Sequence, residues 1–267
     1  MKQRLDVALF ERGLAKSREE AKALVMAGQV YLGEVKAEKP GQFVTDETDL
    51  TVRGPTCPFV SRGGYKLQKA LEVFPISLSG VVAADIGAST GGFTDCMLQH
   101  GAERVYAIDV GYGQLDWGLR NDPRVTVLER TNARYMEPAW FETPLDFASV
   151  DVSFISLDKI LPALRTCLSD NGAVVALIKP QFEAGKGKVG KHGVVSRQET
   201  HVEVIDRIVA VAQEIGYCVS GLSYSPIRGP KGNIEFLVYL QKCITKTTAV
   251  AQIDHNKAVS VVTEAHA

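Results

Sequence analysis

From Phe59 to about Lys242 the chain alternates short apolar runs with helical patterns, and no other feature narrows its fold as far. Strands are expected at 81–88, 104–110, 125–130, 146–153, 172–179, 216–225 and 233–242, with helices notably at 61–73, 91–100, 156–168 and 197–215. Runs such as Val174-Val175-Ala176-Leu177-Ile178 are apolar without a break, as befits strands covered on both faces. Alternation of this kind builds a mostly parallel sheet between two helical layers. The last two strands are joined through Pro226 to Gly232 with no helical pattern, so they are expected to pair antiparallel.

The stretch DIGASTGGFTD, Asp85 to Asp95, lies between the first strand and its helix, where open α/β sheets bind nucleotides. A phosphate-binding P-loop needs Gly-Lys-Ser/Thr at its end, but Phe93 and Thr94 follow Gly92. A Gly-x-Gly-x-x-Gly dinucleotide fingerprint fails because Ala88-Ser89-Thr90 separates Gly87 from Gly91. An acid followed by Gly-x-x-x-Gly-Gly suits a ligand with a cationic amino-acid head and no phosphate, and S-adenosylmethionine is one. Against this stands a tight turn with no ligand, for which one glycine would suffice. Gly87, Ser89, Thr90, Gly91, Gly92 and Phe93 are the expected lining, with Asp85 holding the cofactor's amino group. Asp109, about twenty residues beyond the loop at the next strand end, is placed for ribose hydroxyls. Glu129 and Asn132, at the end of the third strand, are candidates for the adenine edge.

The chain has 267 residues and a formal charge of −1, so bulk charge announces neither nucleic acid nor membrane. No apolar run is long enough to span a bilayer. The start MKQRLDVALFERG lacks the apolar core of a secretion signal. Five scattered cysteines without a CxxC pair argue against zinc and against a disulfide framework, and for a reducing cytoplasm as the expected location. The five histidines show no ligand spacing, and no metal site is expected. Residues 244–267 have no clear period and are expected to form a disordered tail.

Residues 1–57 form a separate unit, followed by a catalytic domain over 58–243. Acids and bases balance within it, and Ser17 with Glu20 reads as a helix-capping pair. Arg4-x-Asp6, Leu9, Gly13-Leu14-Ala15-x-Ser17-Arg18, Gly28-x-Val30 and Lys39-Pro40-Gly41 resemble the small α+β RNA-binding module first described in a small-subunit ribosomal protein. The resemblance implies that Arg4, Arg18 and Lys39 contact structured RNA. Read from charge alone, the same residues are a solvated helix face.

Chemistry at the strand ends is narrowed by what is missing. Asp151-Val152-Ser153-Phe154 lacks the prolines of an exocyclic-amine cradle, and Cys57 sits in a linker rather than at a strand end. A hydroxyl acceptor remains, and it needs a positioned base. Lys66, Asp151, Lys179 and Glu235 are all expected near one sheet edge, where a lone charge would be costly. Their order resembles the Lys-Asp-Lys-Glu tetrad of FtsJ-type RNA ribose 2'-O-methyltransferases. With SRGGYKL, GASTGGFTD, DVGYGQL, LERTNAR, DVSFISL and KPQFEAGKG, the chain to about residue 242 is similar to the TlyA (haemolysin A) family. That resemblance implies a Rossmann-like class I methyltransferase fold, α/β with a seven-stranded sheet, and 2'-O-methylation of cytidine ribose in ribosomal RNA. It implies Lys179 as the base or charge acting on the hydroxyl, with Lys66 lowering its basicity and contacting the acceptor. Asp151 and Glu235 would orient the lysines. Arg62 and Arg134, beside the site, are candidate phosphate contacts. Lys186, in the Gly/Lys-rich stretch 183–197, reads equally as an RNA contact or as part of a solvated loop. The expected partner is ribosomal RNA or a ribosomal subunit. A pore-forming haemolysin and a non-catalytic assembly factor are the competing readings. The first predicts an amphipathic membrane segment, and the intact tetrad speaks against the second.

Overall fold

A computed structural model describes residues 2–53, 57–185, 187–243 and 253–267, and contacts divide the chain between Cys57 and Pro58. In the first unit, β1 (Lys2–Arg4) leads into α1 (Leu5–Glu11), and α2 (Arg18–Met26) follows. The short strands β2 (Val30–Leu32), β3 (Val35–Lys36), β4 (Phe43–Thr45) and β5 (Leu50–Val52) complete it. β1 pairs with β4, and β2 lies between β3 and β5. The Ser17 hydroxyl accepts from the Glu20 amide at 3.1 Å, which starts α2. Glu20 reaches back one residue further than expected, to the Lys16 amide. Leu5, Leu9, Ala21, Val25, Val30 and Val44 form the core.

In the second unit, α3 (Gly64–Val73) precedes β6 (Val82–Ile86), α4 (Gly92–Gln99), β7 (Arg104–Ile108), α5 (Trp117–Arg120) and β8 (Val125–Leu128). Then come β9 (Leu145–Val150), α6 (Leu161–Cys167), β10 (Leu168–Ile178), α7 (Pro180–Glu183) and α8 (Gln198–Ile215). β11 (Tyr217–Tyr224), β12 (Phe236–Lys242) and α9 (His255–His266) end the chain. The seven strands lie in the order β11-β12-β10-β9-β6-β7-β8. β12 runs antiparallel to both neighbours, and the remaining pairs are parallel. The sheet is therefore the α/β arrangement expected; most strand ends are trimmed by one to three residues, but β9 begins one residue earlier than expected and β10 four residues earlier, at Leu168. The helix expected at 156–168 is shorter. A 3-10 turn at Leu157–Lys159 precedes α6, whose first turn holds Pro162.

Two expectations are corrected. The tail is not disordered throughout, because residues 255–266 form α9. Asp254 caps it by accepting from the Lys257 amide at 2.9 Å. Ala258, Val261, Val262 and Ala265 fall on one face and are buried in the main core. Residues 244–252 lie outside the described residues. Val262 is 1% exposed, so Val262→Ala is expected to lower stability by about 2 kcal/mol. Denaturant unfolding checks this, and an unchanged midpoint would show that α9 does not dock. The second correction is a disulfide between Cys218 and Cys243, whose Cα atoms are 5.5 Å apart. The β11–β12 hairpin brings together residues that spacing alone cannot pair.

Candidate active site

Chain order reverses between β6 and β9, which are neighbours in the sheet. Such a switch point leaves a crevice above the carboxyl ends of the strands. Gly87, after β6, has a φ of +86°, and a Cβ there would lie 2.6 Å from the Asp151 carbonyl oxygen. The glycine lets this loop rest on the residue that follows β9. Gly92 opens α4, and its Cβ would lie 2.8 Å from the Gly64 amide nitrogen. The first turns of α3 and α4 therefore meet backbone to backbone, which couples SRGGYKL to GASTGGFTD.

Ser89 and Thr90 are exposed at the lip of the loop, whereas Gly91 and Gly92 are buried. Phe93 is 3% exposed, so its ring is core and only its main chain is available to a ligand. Asp85 departs further from expectation. It is 1% exposed and lies beneath the loop. One carboxylate oxygen accepts from the Thr94 amide and hydroxyl, at 2.9 and 2.7 Å, and the other from Ser149 at 3.0 Å. It braces the first turn of α4 against β9 instead of facing a cofactor's amino group.

Burial lifts the Asp85 carboxyl from 3.8 to about 6, against the hydrogen bonds from Thr94 and Ser149. The folded state thus holds this proton more tightly than the unfolded state. The corresponding stability is fully present below the unfolded value and lost as pH rises through about 6. Asp85→Asn should therefore gain on the parent protein between pH 4 and 7, by about 2–3 kcal/mol at most. Thermal unfolding across that range reads it. A difference that does not change with pH would sink the assignment.

Asp109, after β7, accepts from the Ser89 amide through one oxygen and from the Gly111 amide through the other, each at 2.7 Å. It is only partly covered, and a carboxylate has lone pairs left for hydroxyl donors. Asn132 caps the 3-10 turn Ala133–Tyr135, its carbonyl accepting from the Arg134 amide at 3.1 Å. Glu129 is engaged by Arg120 at 2.5 Å and by the Gly113 amide at 2.9 Å.

The four tetrad candidates meet. Lys66 Nζ lies 2.7 Å from Glu235 and 3.2 Å from Asp151, and Lys179 Nζ lies 2.5 Å from the other oxygen of Asp151. Lys66 comes from α3, Asp151 follows β9, Lys179 follows β10, and Glu235 immediately precedes β12. All four side chains are largely buried, and Glu235 is wholly so. Burial alone pulls the Lys66 ammonium down, but Asp151 and Glu235 outweigh it and hold the group above the ordinary lysine value. Burial alone raises the Asp151 carboxyl, but Lys179 and Lys66 outweigh it and hold it below the ordinary value. Asp151 is thus a fixed anion between two lysines.

Three neighbours were not singled out in the sequence. The Ser153 hydroxyl accepts from Lys179 at 3.2 Å, Gln181 donates to Glu235 at 3.2 Å, and Glu183 holds the loop after β9. Only their positions inside DVSFISL and KPQFEAGKG signalled them.

The RNA-contact candidates fall in both units. In the first, Arg4 makes two hydrogen bonds to the buried Asp6, at 2.9 and 3.0 Å, and Arg18 lies 3.6 Å from the same carboxylate. One acid thus gathers two half-exposed guanidinium groups, while Lys39 is exposed. In the second unit, Arg62 and Arg134 are exposed, and Arg134 sits over the Tyr135 ring. Lys186 lies outside the described residues. Among the described residues no cluster suits a metal ion, and no helix is long and apolar enough to cross a membrane.

A family model described as FtsJ-like methyltransferase matches residues 59–242, and one described as S4 domain matches residues 3–50. YqxC of Bacillus subtilis, named as a candidate rRNA methyltransferase, is 54% identical over 240 residues, covering 90% of this chain and 85% of that protein. TlyA of Mycobacterium tuberculosis, a 16S/23S rRNA (cytidine-2'-O)-methyltransferase, is 48% identical over 239 residues, 89% of either chain. A solved structure of a candidate hemolysin from Streptococcus thermophilus matches with a TM-score of 0.79 at 48% identity, over 99% of this chain and 96% of that one.

Proposed function

The chain belongs to the FtsJ-like methyltransferase family and carries an S4 domain ahead of the catalytic unit, and from this we propose that it methylates a cytidine ribose 2'-hydroxyl in ribosomal RNA. The observation that carries the proposal is the ion cluster of Lys66, Asp151, Lys179 and Glu235 beside the glycine loop. A cluster built only for stability gains little from two lysines and two acids in a buried place, since apolar replacements serve as well.

The residues fit S-adenosylmethionine. The glycine loop from Gly87 to Gly92, with Ser89 and Thr90 at its exposed lip, takes the methionine end. Asp109, its oxygens already oriented, takes the ribose hydroxyls. When bound, the cofactor supplies a methyl group on a sulfonium. Lys179 first gives one proton of its ammonium to solvent, and the neutral Nζ then accepts the hydroxyl proton as the oxygen attacks. Asp151 and Ser153 aim that nitrogen. Lys66 stays protonated between Glu235 and Asp151 and fixes Asp151 in place. Much of the rate comes from alignment of acceptor and donor. Arg4, Arg18 and Lys39 hold structured RNA through phosphate contacts, with Arg62 and Arg134 contributing from the catalytic unit.

The test uses methyl-labelled S-adenosylmethionine with separated, undermethylated ribosomal subunits, followed by alkaline hydrolysis. A methylated 2' oxygen cannot attack the adjoining phosphate, so label is expected in alkali-resistant dinucleotides. Label in mononucleotides would mean base methylation. No transfer to either subunit, with cofactor binding intact, would favour a non-catalytic assembly factor.

A further inference from the structure

Glu183 ends α7, the four-residue helix that begins directly after Lys179. Its side chain is 2% exposed, yet the proposed chemistry gives this buried carboxylate nothing to do. One oxygen accepts from the Leu157 amide at 2.8 Å, and the other accepts from the Ser156 hydroxyl at 2.6 Å. Arg207, on α8, donates to the second oxygen as well and also reaches the Glu183 carbonyl at 3.2 Å. One acid therefore ties the loop after β9 to α7 and α8.

That loop needs tying. Phe154 has a φ of +64°, which costs a bulky residue on the order of 1–3 kcal/mol. Such strain persists only where the surroundings fix it. The Phe154 ring does little fixing, since the residue is 90% exposed and touches Phe182 on one side. The loop is instead held at its two ends. At the start, the Asp151 amide donates to the Ile86 carbonyl at 2.9 Å, and the Asp151 carboxylate meets both lysines. At the end, Glu183 hydrogen-bonds the Ser156 hydroxyl and the Leu157 amide, and the Leu157 side chain is buried in the core. Between the clamps sits Ser153, whose hydroxyl touches Lys179.

We propose that Glu183 is a positioning residue, which clamps the Ser153–Leu157 turn so that Ser153 and Asp151 aim Lys179 at the acceptor hydroxyl. The proposal rests on the methyltransferase reading above. A carboxylate suits this place because both oxygens accept at once. A glutamine would set an N–H against either the Arg207 guanidinium or the Leu157 amide, both of them donors. Lys179 and Glu183 lie at opposite ends of one helical turn, so the clamp acts across that turn on the lysine itself.

The test compares Glu183→Gln and Ser156→Ala with the parent protein at saturating cofactor and undermethylated ribosomal subunits. Ser156→Ala removes one donor and leaves the buried charge paired, so it remains informative should Glu183→Gln fold poorly. Both variants should lose kcat, about 30-fold for Glu183→Gln and about 5-fold for Ser156→Ala, with both KM values and cofactor affinity within about twofold. Full kcat in folded Ser156→Ala, or a loss confined to KM or cofactor affinity, overturns the proposal, because a merely structural brace would show either. A second readout needs no activity. Amide exchange in the peptide spanning Ser153 to Leu157 should speed up at least about tenfold in Glu183→Gln, while β9 stays protected. Unchanged exchange there overturns the clamp even if the parent protein methylates nothing, an outcome that would itself count against the methyltransferase reading alone.

Discussion

Replacing Lys179 with alanine lowers the single-turnover rate of methyl transfer by about 10²–10⁴-fold, the range for loss of a positioned general base. The loss appears in kcat. Cofactor affinity stays near the parent value, because Asp109 and the glycine loop lie on other strand ends. Lys179→Arg does not restore the rate, since a guanidinium remains charged and cannot take the proton. Stability should fall as well, because the buried Asp151 keeps only Lys66, at 3.2 Å, so the rates are compared on folded protein. Label transfer with equilibrium binding of S-adenosylhomocysteine separates these effects. Retention of more than about a tenth of the rate would remove Lys179 from the chemistry.

Glu235→Ala acts first on stability. Glu235 is fully buried and lies 2.7 Å from Lys66, so its removal leaves a buried ammonium with Asp151 as its one remaining acid. Breaking a buried pair in this way costs about 3–5 kcal/mol. The melting temperature should drop by several degrees, and activity should fall with it because Asp151 is drawn toward Lys66. Lys66→Met combined with Glu235→Leu tells the two effects apart. The double variant removes both charges and should recover most of the stability. It should recover little activity. Recovery of both would mean that the pair serves only the fold.

The sheet was legible because its signal is local. Each strand is a short apolar run, and the runs alternate with helical spacing, so their order follows from connection rules. The tetrad was legible for a related reason. Charges placed where apolar strands end have few solvents to choose from. Asp85 was misjudged because Ala83, Ala84 and Ile86 are buried together with it, leaving no alternation to show which way the carboxylate points. The last helix was missed because its buried stripe is made of two alanines and two valines, a pattern that declares itself only against a partner surface. Glu183 read only as the start of a Gly/Lys-rich loop. Its burial comes from Ser156 and Arg207, which lie 27 and 24 residues away in sequence. The Cys218–Cys243 pairing likewise depends on strand register, which spacing does not encode.

Asp151 faces two ways. Its main-chain oxygen packs where Gly87 leaves room, and its carboxylate spans Lys66 and Lys179. In the proposed reaction these are the donor side and the acceptor side. The gap the methyl group must cross is therefore gauged by the bonds of a single residue, with no joint between the two sides to slacken. A methyl group added at position 87 would strike that gauge at 2.6 Å and shift the lysines without touching either one. Damage to the cofactor loop and damage to the base should then be hard to tell apart by rate alone, and only binding measurements would reveal which side had moved.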